Sequence, residues 1–146
     1  MTLFKTDKQL DRCIRKWQKQ LGLTHWTIVS NLCRYYEMPE TDTAGLTMLC
    51  AERMEAAVFV LHPDDVASPV PFDQEVTVVH ELVHIVFPFL SQKEHSVQAE
   101  QAIETVAKTL VELDAQKEFL LNYVKQKNKQ DDSPSKKKGN SKPKKA

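Results

Sequence analysis

The chain has 146 residues, 41% hydrophobic and 27% charged, with a formal net charge of zero. That length suits one domain and leaves little room for a second. No apolar run reaches the roughly 18 residues that span a bilayer, and Met1–Lys8 lacks the apolar core of a secretory signal. A membrane protein is therefore not expected, and a cytoplasmic location is.

The three cysteines, Cys13, Cys33 and Cys50, are odd in number and widely spaced. They read as buried thiols, with neither a disulfide framework nor paired zinc spacing. The zero charge hides an asymmetry. From Lys125 onward there are nine Lys and two Asp, or +7, and residues 1–124 carry 11 basic and 18 acidic groups, or −7. An acidic globule with a basic tail is expected.

Residues 6–21 read as a helix. Thr6 and Gln9 fit a capping box, and Leu10, Ile14, Trp17 and Leu21 fall on one stripe before Gly22 ends it. In 25–35 the period changes to two: Trp26, Ile28, Ser30 and Leu32 alternate with Thr27, Val29 and Asn31, as in a strand. After a loop at 36–43, the segments 44–51 and 54–61 flank Glu52-Arg53 and suggest a hairpin. His62-Pro63-Asp64-Asp65 and Ser68-Pro69-Val70-Pro71 are loop material.

The next segment, Gln74–Phe87, has Asp73 as its N-cap candidate and Pro88 as its stop. Val76, Val79, Val83 and Val86 recur at helical spacing. Valine is a poor helix former, so burial of the stripe must outweigh the propensity cost. A polar connection at 91–94 leads to a long helix over 96–127, with Ile103, Val106, Ala107, Leu110 and Leu113 expected inward. Residues 128–146 are mostly Lys, Asn, Ser, Pro and Gly, and are expected to be a disordered tail behind a domain over 1–127. Helix, three strands, helix, helix is an α+β layout: a small sheet covered by helices.

The central helix carries His80-Glu81-Leu82-Val83-His84. Histidines at i and i+4 share a helix face, so both imidazoles can reach one ion. Zinc accepts such nitrogen donors at about 2.0–2.1 Å, and a catalytic site adds a third protein ligand and keeps a position for water. Glu81 suits the general base that takes that water's proton. The candidates for the third ligand are His95, Glu100 and Glu104. Glu100 lies about 60° and Glu104 about 100° around the wheel from Ile103, so the helical face favours Glu100, with Glu104 the alternative. Tyr35 or Tyr36 could donate to an oxyanion, though packing is the simpler role. His25 and His62 read as ordinary histidines.

The His-Glu-x-x-His segment, followed by Glu100-Gln101-Ala102-Ile103-Glu104 on the next helix, resembles the minimal zincin metallopeptidases. More narrowly, it is similar to the small metallopeptidases of bacteriophages and mobile elements, related to the antirepressor-type peptidases. Glu104 leaves 19 residues after His84, the spacing of thermolysin-type enzymes, whereas the metzincin Gly and third His are absent. The resemblance spans about residues 6–124. It implies Zn²⁺ held by His80, His84 and a helix Glu, with a peptide or protein substrate paired to the strand before the active helix, here Met54–Leu61. The alternative is a zincin-fold binding module without catalysis, acting through protein or nucleic-acid contact. Lys136-Lys137-Lys138, Lys142, Lys144 and Lys145 offer weak, nonspecific phosphate neutralisation for such contact.

Overall fold

A computed structural model describes residues 1–67, 72–88 and 97–131. The chain divides into two units, Met1–Leu113 and Asp114–Ala146. Among the described residues the architecture is α+β, with three α-helices and one mixed three-stranded sheet.

Helix α1 spans Asp7–Gln20. The Thr6 hydroxyl accepts the Gln9 N–H at 3.3 Å, as an N-cap does. The Gln9 side chain accepts from Lys5 N–H at 2.8 Å, one residue before the partner a capping box would use. At the other end Gly22 has φ +71°. That conformation lets Leu23 N–H reach Gln18 O at 2.8 Å and Gly22 N–H reach Lys19 O at 3.3 Å, closing a Schellman motif. Leu10, Ile14 and Trp17 are buried and Leu21 packs against the core.

Strands β1 (Thr27–Cys33), β2 (Gly45–Cys50) and β3 (Glu55–Leu61) lie in the order β1-β3-β2. β1 runs parallel to β3 and β2 antiparallel to it. The hairpin turn between β2 and β3 puts Met54 at φ 53°, a left-handed position. Ile28, Ala56, Val58 and Val60 are buried on the face covered by the helices, whereas Val29 and Met48 are exposed on the other. The register sets Gly45, Thr47 and Leu49 beside Val60, Val58 and Ala56, so these three β2 residues also face the helices.

Helix α2 spans Gln74–Val86, with the Asp73 carboxylate accepting Glu75 N–H at 3.0 Å. Helix α1 packs on β1, α2 packs on β2 and β3, and the two helices pack on each other. Val79 and Val83 are buried, but the centre of the buried face is Val78, Leu82 and Ile85; Val76 and Val86 sit at its margins. Glu75 ties the helices together by accepting from Trp17 Nε1 at 2.8 Å and Lys16 Nζ at 2.9 Å.

Gln74 is fully buried. Its amide donates to Leu61 O at 2.9 Å and its carbonyl accepts from Phe4 N–H, joining the N-terminal segment, β3 and α2. Gln74→Leu keeps the volume and strands both backbone groups. A loss of about 2–4 kcal/mol in urea unfolding is expected. A loss below about 0.5 kcal/mol, the usual scatter of neutral substitutions, would remove this residue from the fold's supports.

Helix α3 spans Val97–Asp131. In the first unit it buries Ile103 and Ala107, with Leu110 and Val111 packed against the core. Val106 and Leu113, expected inward, are 44% and 54% exposed. The core reaches the helix from the Ala107–Val111 flank, and these two residues fall off its edge. In the second unit the helix continues through Asp131, past the boundary expected at 127. Lys and Gln in 125–130 are good helix formers, and propensity carries the helix on. There Phe119, Leu120, Tyr123 and Val124 are exposed. The expected connection at 91–94, His95 and the tail beyond 131 lie outside the described residues. Among the described residues no helix is long and apolar enough to cross a membrane. Cys13 and Cys33 are buried, Cys50 is half-buried, and all three are free thiols.

Candidate metal centre

The two histidines come together for a local reason. Four residues on one α-helix put His80 and His84 one turn apart, and their Nε2 atoms lie 3.3 Å from each other. Helix α3 brings the third group. Glu100 Oε2 is 3.2 Å from His80 Nε2 and 3.7 Å from His84 Nε2. These three residues form a cluster able to hold a metal ion.

The dimensions fit a particular kind of ion. A tetrahedral centre with bonds of about 2.0–2.1 Å sets its donors about 3.3 Å apart. The triangle here has edges of 3.3, 3.2 and 3.7 Å, close to one face of such a tetrahedron. Two imidazole nitrogens and one carboxylate oxygen form a donor set that zinc accepts. The cluster is only partly open: the side chains of His80 and His84 are 17% and 10% exposed and that of Glu100 is 40% exposed.

The two carboxylates of α3 stand in different places. Glu104 lies behind the triangle, its Oε2 3.1 Å from His80 Nδ1 and its Oε1 3.1 Å from Lys108 Nζ. A carboxylate at Nδ1 fixes the imidazole tautomer with the proton on that nitrogen, which turns the Nε2 lone pair toward the triangle. Glu104→Gln is expected to weaken zinc binding by about 10–100-fold, read by competition with a chromophoric chelator. Unchanged affinity would show that this bond does not orient His80.

Glu81 points to the sheet and stands outside the triangle. It is 6% exposed, and Thr47 Oγ1 on β2 lies 2.9 Å from its Oε2 and 3.1 Å from its backbone O. Burial pushes its pKa up from the ordinary carboxylate value to about 7, against the opposing pull of His80 and the Thr47 bond. The strand comes this close because residue 45 is glycine. A Cβ there would lie 2.7 Å from Glu81 Oε1 and 2.7 Å from Thr77 Cγ2.

Other expectations of the sequence fall elsewhere. Tyr35 and Tyr36 are exposed on a short 3₁₀ turn after β1, and among the described residues no bond ties them to the cluster. His25 is exposed. His62 caps a turn, with Nδ1 accepting Asp64 N–H at 3.3 Å. The strand expected to pair with substrate, Met54–Leu61, is a correction. It is β3, the middle strand, already hydrogen-bonded on both sides. The edge strand packed on α2 is β2. Adjacency in sequence pointed to β3, because strand order is set by pairing and not by chain order. Gly45, Thr47 and Gln74 were not singled out from sequence. The alternation of Gly45, Thr47 and Leu49 marks one face of a strand, but nothing in it points to Glu81, 34 residues beyond Thr47.

No family model, curated protein or solved structure matches this chain.

Proposed function

We propose that this chain is a zinc-dependent metallopeptidase with a zincin-like fold. The observation that carries the reading is the donor triangle of His80, His84 and Glu100 with a buried carboxylate, Glu81, next to it in sequence. Bound zinc would supply Lewis acidity and a water of lowered pKa. His80 and His84 hold the ion through Nε2, Glu100 through Oε2, and Glu104 keeps His80 in the right tautomer. Glu81 takes a proton from the attacking water and passes it to the nitrogen of the departing amine, so water adds across the peptide bond.

The outer edge of β2 suits an extended peptide. Ala44 O accepts Leu61 N–H at 2.9 Å, and antiparallel alternation then turns the N–H and C=O of Gly45, Thr47 and Leu49 to the outer edge. An extended substrate laid there as an added strand runs beside Glu81. A purely structural zinc would be closed by four protein ligands, and the cluster among the described residues has three.

The test is metal analysis of the purified chain with digestion of a peptide library, before and after chelation. About one zinc per chain is expected, with cleavage that chelation abolishes and zinc restores. A chain that takes up no zinc on titration sinks the reading.

A further inference from the structure

The carboxylate of Glu81 is held asymmetrically. Oε2 faces the Thr47 hydroxyl at 2.9 Å, and among the described residues that is its hydrogen-bond partner. Oε1 packs against residue 45, in room that only glycine leaves, since a Cβ there would lie 2.7 Å from it. Thr47 and Gly45 are alternate residues on the helix-facing side of β2, and each lies against a different oxygen of the Glu81 carboxylate.

We infer that Thr47 is a positioning residue: its hydroxyl fixes Oε2 of Glu81 and so reserves Oε1 for proton transfer. The inference rests on the reading of Glu81 as the base. A glutamate has three side-chain torsions, and the last is broad, so burial alone does not choose which oxygen works. A hydroxyl has one proton to give. Thr47 Oγ1 lies within reach of both the carboxylate and the backbone oxygen of Glu81, at 2.9 and 3.1 Å. The bond to the ionised carboxylate is the stronger of the two, because charge assists it. The device lies on the strand edge proposed to take substrate. The base is therefore placed by the element that would place the peptide.

The test uses the full-length, zinc-loaded chain with Thr47→Val and Thr47→Ser. Valine keeps the branched shape and removes the hydroxyl; serine keeps the hydroxyl. The substrate is the library peptide that the wild type cuts fastest. Thr47→Val is expected to lower kcat by about tenfold or more with KM within about twofold and zinc content unchanged, and Thr47→Ser to recover kcat to within about threefold. A merely structural role would lower stability without that split. Crystal structures of both zinc-loaded variants give a second readout that needs no activity. Glu81 should keep its orientation in Thr47→Ser and turn in Thr47→Val. Wild-type kcat in Thr47→Val, or no recovery in Thr47→Ser, overturns the inference. If the wild type binds zinc and cuts nothing, the peptidase reading falls and the crystal structures decide: one Glu81 orientation in both variants overturns Thr47's role, and a turned Glu81 in Thr47→Val alone supports it.

Discussion

Glu81→Gln is expected to keep its zinc and lose hydrolysis by about 10²–10⁴-fold, the range for removing a general base. The amide fills the same space and still accepts the Thr47 hydroxyl bond, so the donor triangle is undisturbed. What it lacks is a proton-carrying oxygen. The same substitution has an opposite effect on the metal-free fold. Burial raises the folded-state pKa of Glu81 from 4.5 to about 7. The favourable contribution of the protonated carboxyl is full below the unfolded value and is lost as pH rises through 7. Glutamine resembles the protonated form at every pH. Metal-free Glu81→Gln should therefore exceed the wild type in stability by up to about 3 kcal/mol at about pH 8, and the gap should close at about pH 4. Urea unfolding at both pH values measures it. A gap that does not change with pH would mean that burial is not what sets this carboxyl.

His84→Ala is expected to abolish stable zinc binding. Two donors remain, His80 Nε2 and Glu100 Oε2, and among the described residues no other side chain belongs to that cluster. The loss has a thermodynamic readout independent of catalysis. A ligand at about 1,000 times its Kd stabilises the folded state by about 4 kcal/mol. The wild-type Tm should rise on adding zinc and fall back on chelation, whereas that of His84→Ala should respond to neither. Removing a buried imidazole also leaves a cavity, so the variant should start from a lower Tm. A variant that still takes up zinc with wild-type stoichiometry would place the site elsewhere.

The helices were legible because their rules are short-range. Thr6, Gly22 and Asp73 act on backbone groups within a few residues, and each sits at the helix end it marks. The hairpin was legible for the same reason, as two apolar runs joined by a short turn. The facing of α3 was not. Of the expected stripe Ile103, Val106, Ala107, Leu110 and Leu113, Val106 and Leu113 are exposed because the core approaches from the flank of Ala107 and Val111. The helical-wheel preference for Glu100 thus rested partly on the wrong residues. Glu100 joins the triangle because of where α3 lies against α2, and Glu104 stands behind His80 because it is one turn further along.

His80, Glu81 and His84 needed no fold to be recognised. Their relation is one turn of one helix, and hydrogen bonding within the helix fixes it wherever the helix goes. The roles of Gly45, Thr47 and Gln74 depend on strand order, register and helix-on-sheet packing across 34 residues or more of chain for the Thr47–Glu81 and Phe4–Gln74 bonds. Those contacts form only when distant segments close on each other, and local pattern does not encode which segments will meet. The motif therefore pointed to the proposed metal chemistry in the sequence, while the strand that holds Glu81 emerged from the folded chain.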